Sequence, residues 1–542
     1  MFVACAPAII VHMRPSRLVF CLLPLFLFMA SMRAQGFVEI QDQLTAAEIT
    51  AIIPAAVEAD SSNDYSVVVV DRAGRIVGAW QKPNATLETA ERALSLARTG
   101  AFFSNNQAPL SSRTVRFISG THFPPGIPFQ PTAPLYGIET TNRGCSLNTE
   151  FNPGKSVPPA ESFAAFLRAE GIEPGGPLIC NALDQTGCGV GITTGKFTGR
   201  FMDGHIVDIP PEELLDQKPF QVHGGGIPIF KNCRVVGGIG VYGNAPVDAE
   251  YAALVGSLSG GPGFGPLACL PPPRAIFLDG VRLPFVQQST RPPGSHPGMV
   301  AGGYAVDPRD GGSAPDGWLA GGPDQPRGSA ELSVDEVEMI IEQAVGGASR
   351  TRAAIRLPAG SRASMVIAVS DLDGNLLGLY RMPDSTVFSI DVAVAKSRNV
   401  VYFSNRADPL DLPEVAPGIA VSNRTLEFMS QPFYPPGIDG TEQGPAFDLF
   451  LRDLANPCSQ GFDSLNPFNR NGVVFFPGSL PLYKDGRLVG GVGVSGDGVE
   501  QDDLVAAAGA MGFEAPDSIQ ANHFFVRGAR LPYLKFPRNP YQ

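Results

Sequence analysis

Long apolar runs are almost missing from this 542-residue chain. The one stretch that qualifies, Leu18–Ala30 (LVFCLLPLFLFMA), is too short for a membrane-spanning helix, which needs roughly 20 residues. Charge is also scarce, at 17% of residues, and the net charge is −12 with no Lys/Arg cluster. That excludes the clustered positive surface that phosphate contacts require, so no nucleic-acid partner is expected. Only 6 His are present, they are scattered, and no CxxC occurs, which argues against a structural zinc site. A GxSxG nucleophile elbow, an HExxH helix and a repeated carboxylate pair are all absent. An enzyme is therefore the less expected reading.

What is present is a globular composition, 44% hydrophobic, on a length that suggests two to four domains. The 62 Gly and 51 Pro predict many turns. Arg14 and Arg17 precede the short apolar run, and Ala34 follows it. This is the pattern of a secretory signal peptide over residues 1–34, so the protein is expected to be exported, to a periplasm or outside the cell. Export permits disulfides among Cys145, Cys180, Cys188, Cys233, Cys269 and Cys458, with the pairing left open.

Internal similarity is the strongest signal. Residues 71–105 align without a gap to 371–405. SSRTVRFISGTHFPPGI (111–127) matches SNRTLEFMSQPFYPPGI (422–438), and IPIFKNCRVVGGIGVYG (227–243) matches LPLYKDGRLVGGVGVSG (480–496). DGVRLPF (279–285) matches RGARLPY (527–533). Four blocks in one order indicate duplication. Each copy begins with a capping box, Thr45 with Glu48 and Ser333 with Glu336, followed by apolar residues at helical spacing. A hairpin, a second helix, a long loop, another hairpin and a last helix follow. This order predicts an α+β fold in which an antiparallel sheet is packed with helices, twice in tandem. The expected domains are 40–286 and 331–542, joined by a Gly/Pro-rich linker at 287–330. The loop from Ile127 to Gly224 is more than twice as long as its counterpart from Ile438 to Gly478, so the first copy carries an insertion.

These blocks resemble the GlcG/HbpS family of haem-binding proteins. Val369–Gly374, Arg381-Met382-Pro383-Asp384, Lys396, Gly490–Gly496 and Gln501-Asp502 carry the likeness in the second copy. His223–Pro228 carries it in the first. The first copy departs from it at Leu96, where the second has Lys396, and the second departs at Pro477-Gly478-Ser479, where the first has three glycines. The resemblance implies a profilin-like fold that assembles into dimers or larger oligomers. It makes haem or another tetrapyrrole the expected ligand, and an intrachain pseudo-dimer and a possible homo-oligomer the expected assembly.

Candidate site residues follow. Gly224, Gly225 and Gly226, and Gly478 in the second copy, are expected to expose backbone N–H groups to an anion such as a carboxylate. Gly237-Gly238-Ile239-Gly240 either admits a ligand or makes room for neighbouring backbone. His122 and His223 are the candidate iron ligands, although Phe433 and Phe476 replace them in the second copy. Arg113 and Arg424, repeated in the RTxxF block, either clamp a small carboxylate or bond to loop carbonyls. Lys396 is a candidate amine. The competing functions are a scaffold that uses the insertion as a partner surface, and a binder or enzyme of small carboxylates.

Overall fold

The computed structural model describes residues 43–138, 141, 223–300, 303–306, 316–320, 326–405, 407, 409–455 and 471–542. The expected signal peptide, most of the first copy's insertion, and Cys145, Cys180, Cys188 and Cys458 lie outside the described residues.

In the first half the chain forms α1 (Ala46–Glu58), β1 (Ser66–Asp71), β2 (Ile76–Gln81), α2 (Leu87–Phe103) and α3 (Ser112–Phe117). It continues with β3 (Gly226–Lys231), β4 (Arg234–Tyr242), α4 (Pro246–Leu258), β5 (Phe277–Leu278) and β6 (Val281–Arg282). Next come β7 (Gly303–Val306) and β8 (Gly317–Ala320). The second half forms α5 (Val334–Arg350), β9 (Val366–Ser370), β10 (Leu376–Arg381), α6 (Phe388–Asn405), α7 (Asn423–Met429) and α8 (Phe447–Ala455). It ends with β11 (Ser479–Lys484), β12 (Arg487–Ser495), α9 (Val499–Gly509), β13 (Phe525–Val526) and β14 (Ala529–Arg530).

Both capping boxes form, with Thr45 and Ser333 accepting from the N–H of Glu48 and Glu336. Among the described residues the main strands make two antiparallel five-stranded sheets, ordered β3-β4-β1-β2-β7 and β11-β12-β9-β10-β8. The fifth strands correct the expected linker. Its residues 303–306 pair with β2, and 317–320 pair with β10, so each sheet gains an edge strand from it. Backbone hydrogen bonds hold both strands, and in β8 Leu319 is buried while Trp318 packs on Tyr380; each strand is only four residues long in a Gly/Pro-rich stretch, which is why composition alone does not reveal them.

Side-chain alternation distributes each sheet between two cores. Val67 and Val69 join a core with Ile49, Ile53 and Ala253 of α1 and α4. Val68 and Val70 face the other way, into a core that also contains Val366 and Ala368 of β9 and Ile390 and Val394 of α6. Ile367 and Val369 turn to a third core with Ile340 of α5 and Val505 of α9. The middle core thus belongs to both halves. Phe103 at the end of α2 stacks on Phe388 at the start of α6, with ring centroids 4.2 Å apart. The Val387 N–H donates to the Phe102 carbonyl at 3.0 Å.

The glycine-rich strands β4 and β12 make room for backbone, not ligand. A Cβ at Gly240 would meet the Ala93 carbonyl oxygen of α2 at 1.8 Å, and one at Gly493 would meet that of Ala393 in α6 at 2.1 Å. Gly493→Ala should therefore lower stability by about 2–3 kcal/mol. Gly346→Ala in α5, where only the end of Arg350 lies near, at 3.6 Å, should raise it by about 0.5–1 kcal/mol. Denaturant midpoints of both variants check the pair, and equal effects would refute the close-packing account.

Candidate functional site

Arg113 and Arg424 occupy the second positions of the short helices α3 and α7, each of which opens with a capping box, from Ser111 and from Ser422. Both guanidinium groups are buried, so each needs a counter-charge. Arg113 Nε and Nη2 donate to Glu250 Oε1 and Oε2 at 2.5 and 3.1 Å. Arg424 Nε donates to Asp503 Oδ2 at 2.5 Å. The expected bonds to loop carbonyls are thus replaced by ion pairs with the last helix of each half. Arg424 Nη2, Asp502 Oδ1 and Asp503 Oδ1 are buried without a hydrogen bond to a described residue.

The glycines lie over these buried pairs. A Cβ at Gly224 would meet Glu250 Oε1 at 2.6 Å and Arg113 Nη2 at 3.1 Å. The Gly226 N–H donates to Ser112 Oγ at 3.1 Å, and Gly225 packs against the Val241 carbonyl, so this loop does not present the three free donors expected of it. Gly478, at φ +120, sits 2.7 Å (measured from an added Cβ) from Lys396 Nζ.

Lys396 is wholly buried. Its Nζ donates to Asp502 Oδ2 at 3.0 Å and to the Val494 carbonyl at 2.8 Å, and lies 4.8 Å from the Phe476 ring centroid. Burial pushes the Asp502 carboxyl up to about 7 and the Lys396 amine down, and their mutual attraction opposes both shifts. The first half lacks this pair as a unit: Leu96 stands at the position of Lys396 and Ala249 at that of Asp502.

His122 and His223 are not brought together on one cavity. His122 Nε2 is 2.9 Å from Asp439 Oδ1, and the Phe129 N–H donates to Asp439 Oδ2 at 3.1 Å, so His122 ties the first half to the second. The half-buried His223 ring lies 5.0 Å from that of Tyr242, and its backbone carbonyl accepts from Ser112 Oγ at 2.7 Å. Burial, and then the nearby Arg92 charge, pushes its imidazole down to about 4. No group of three or more His, Cys, Asp or Glu side chains among the described residues could hold a metal ion.

A cavity of 1660 Å³ opens where the halves meet. Leu110, Ile118 and Phe123 line it from the first half, and Phe388, Phe428 and Phe476 from the second. Arg424, Glu427 and Asp502 add polar wall. Arg352, Arg530 and Arg538 also line it, and none of the three is ion-paired with a described residue. Burial pushes the Glu427 carboxyl up to about 7 against the pull of Arg424. Of the residues expected from sequence, only Arg424 lies on this cavity. Glu250, Glu427, Asp503 and the Asp502 partnership are missed by sequence reading. The paired change at Leu96/Lys396 and Ala249/Asp502 is the signal that could have found the last of these.

Residues 342–511 match the family model described as haem degrading protein HbpS-like. Two solved structures also resemble the chain. A PduOC:heme complex is 22% identical over 34% of this chain and 98% of its own, with a TM-score of 0.23. The Klebsiella pneumoniae protein ORFY, of family DUF336, is 20% identical over 33% of this chain and 88% of its own, with a TM-score of 0.21. No curated protein matches the chain.

Two predictions follow from this geometry. Lys396→Leu or Asp502→Ala alone strands a buried charge and should cost about 3–5 kcal/mol. The double substitution, which reproduces the first half's residues, should be more stable than the sum of the two by at least about 2 kcal/mol, as read from a double-mutant cycle. For His223, the folded pKa of about 4 lies below the ordinary 6.5, so the unfolded chain takes up the proton first. Its contribution to stability should be complete above pH 6.5 and decline as pH falls toward 4. Melting curves of His223→Gln should show a weaker loss over that window.

Proposed function

We propose that this chain is an exported tetrapyrrole-binding protein, with haem the first ligand to test. In this reading two tandem copies of one HbpS-like fold pack as an intrachain pseudo-dimer and hold the ligand in the cavity between them. The observation that carries the reading is that the family match, over residues 342–511, supplies Phe388, Arg424, Phe428, Phe476 and Asp502 of the cavity wall. The four repeated sequence blocks and the like order of the two sheets support the tandem arrangement. The Arg-flanked apolar run before Ala34 supports export, and the Cys233–Cys269 disulfide suits an oxidising compartment.

The aromatic walls suit a flat macrocycle, and the arginines at 352, 530 and 538 suit its carboxylates. The fit is to the ring and its side chains. Among the described lining residues there is no His, Cys or Met to ligate the iron. Any redox chemistry would belong to the bound group, with the chain supplying binding and exclusion of water. The small-carboxylate reading is less well supported, because Glu250 and Asp503 already engage the arginines it relies on.

Titration of the purified chain with haemin should give a saturable, shifted Soret band at about one equivalent. The band should persist in His122→Ala and in His223→Ala, since neither side chain lines the cavity. A non-saturating titration overturns the haem reading.

A further inference from the structure

The second half's cavity wall differs from the corresponding residues of the first in a consistent direction. Glu427 stands where the first half has Arg116, Asp502 where it has Ala249, and Phe476 where it has His223. Arg424 and Lys396 are each matched by a buried aspartate, Asp503 and Asp502. Glu427 is therefore an acidic group in excess of the local cations that are paired off. It lines the cavity beside Phe428 and is half-buried, and its carboxyl receives no hydrogen bond from any described residue. Its carboxyl is an acceptor that water or a ligand must satisfy. The cavity wall also holds three arginines with no carboxylate partner among the described residues, Arg352, Arg530 and Arg538.

A ligand that satisfies both kinds of group has an apolar, aromatic body, an N–H donor and carboxylates. A closed iron-bearing ring has no free N–H, because the metal takes all its pyrrole nitrogens, and it wants an axial ligand that the described wall does not contain. An open-chain tetrapyrrole presents pyrrole N–H groups to a side-chain acceptor and keeps the two carboxylates. We infer that the cavity is selective for an iron-free, linear tetrapyrrole, with Glu427 accepting a pyrrole N–H and Arg352, Arg530 and Arg538 receiving the carboxylates. This inference rests on the tetrapyrrole reading above and adds to it the form of the ligand and the residue that selects it. The raised pKa of Glu427, about 7, means that N–H donation to it is strongest when the carboxyl is ionised, so binding should tighten between pH 6 and 8.

The test uses the purified full chain with biliverdin and haemin as separate probes, followed by absorbance and by visible circular dichroism, which reports a bound, twisted linear tetrapyrrole. Biliverdin should bind at least tenfold more tightly than haemin. Glu427→Gln should weaken biliverdin about tenfold, the effect of one charge-assisted hydrogen bond, and change haemin less than twofold. Glu427→Arg, which installs the first half's residue, should abolish the biliverdin signal while leaving the melting temperature within a few degrees. If haemin binds as tightly as biliverdin, or if Glu427→Gln leaves both affinities unchanged, this inference is overturned and the haem reading stands. If neither probe binds saturably, both are overturned.

Discussion

The middle core is the constraint on which the rest of the structure depends. Val68 and Val70 from one sheet, and Val366 and Ala368 from the other, all point into it, with helices α2 and α6 between. Each sheet is thereby buried on both faces, which explains why β1 and β9 read as unbroken apolar runs instead of alternating ones. It also explains why the halves are not interchangeable beads on a string. Removing one would expose the inner face of the other, an apolar surface far larger than a soluble chain tolerates. The Phe103–Phe388 stack and the His122–Asp439 contact are local expressions of the same union.

The two halves, alike in sheet order, can be compared position by position in their polar interiors. The Arg–carboxylate pair recurs in both halves, as Arg113–Glu250 and Arg424–Asp503. A pair kept at equivalent positions is explained by its place: it fastens the short helix before the long loop to the last helix of the same half. The Lys396–Asp502 pair has no such counterpart, and its two positions change together to Leu96 and Ala249. That joint change is what electrostatics demands, because a buried charge without its partner is costly whereas an apolar pair is not. The second half thus carries, beside Arg424–Asp503, a buried Lys396–Asp502 pair that has no counterpart in the first.

Much of the fold was legible in the sequence, and for definite reasons. Thr45–Glu48 and Ser333–Glu336 announce helix starts through local hydrogen bonds, and Lys484-Asp485-Gly486-Arg487 announces a hairpin through its backbone demands, with Asp485 and Gly486 both at positive φ. The short helices α3 and α7 were not read, although Ser111–Thr114 and Ser422–Thr425 cap them in the same way, because a single turn offers no periodicity to detect. Strands β7 and β8 escaped because each is four residues long and lies in a Gly/Pro-rich stretch. The candidate site was legible only in part. Arg113 and Arg424 were found as a repeated motif, but their partners lie 137 and 79 residues away, a separation that one sequence does not bridge.

The glycine loops meet a packing demand that the sequence alone does not reveal. Three successive glycines suggest an anion cradle, since their N–H groups are free to converge. Here the absence of side chains serves the neighbours instead. Any Cβ at Gly224 would strike the Arg113–Glu250 pair, and any at Gly478 would strike Lys396 and Asp502. In both halves the loop before the β-hairpin must therefore lie flat on a buried ion pair, and the charge it covers is already neutralised. Among the described residues, the cavity wall holds charges without an ion-pair partner at Glu427, Asp279 and the arginines at 352, 530 and 538. Among the described residues, the cavity between the halves gathers more unpartnered charge than the glycine loops do.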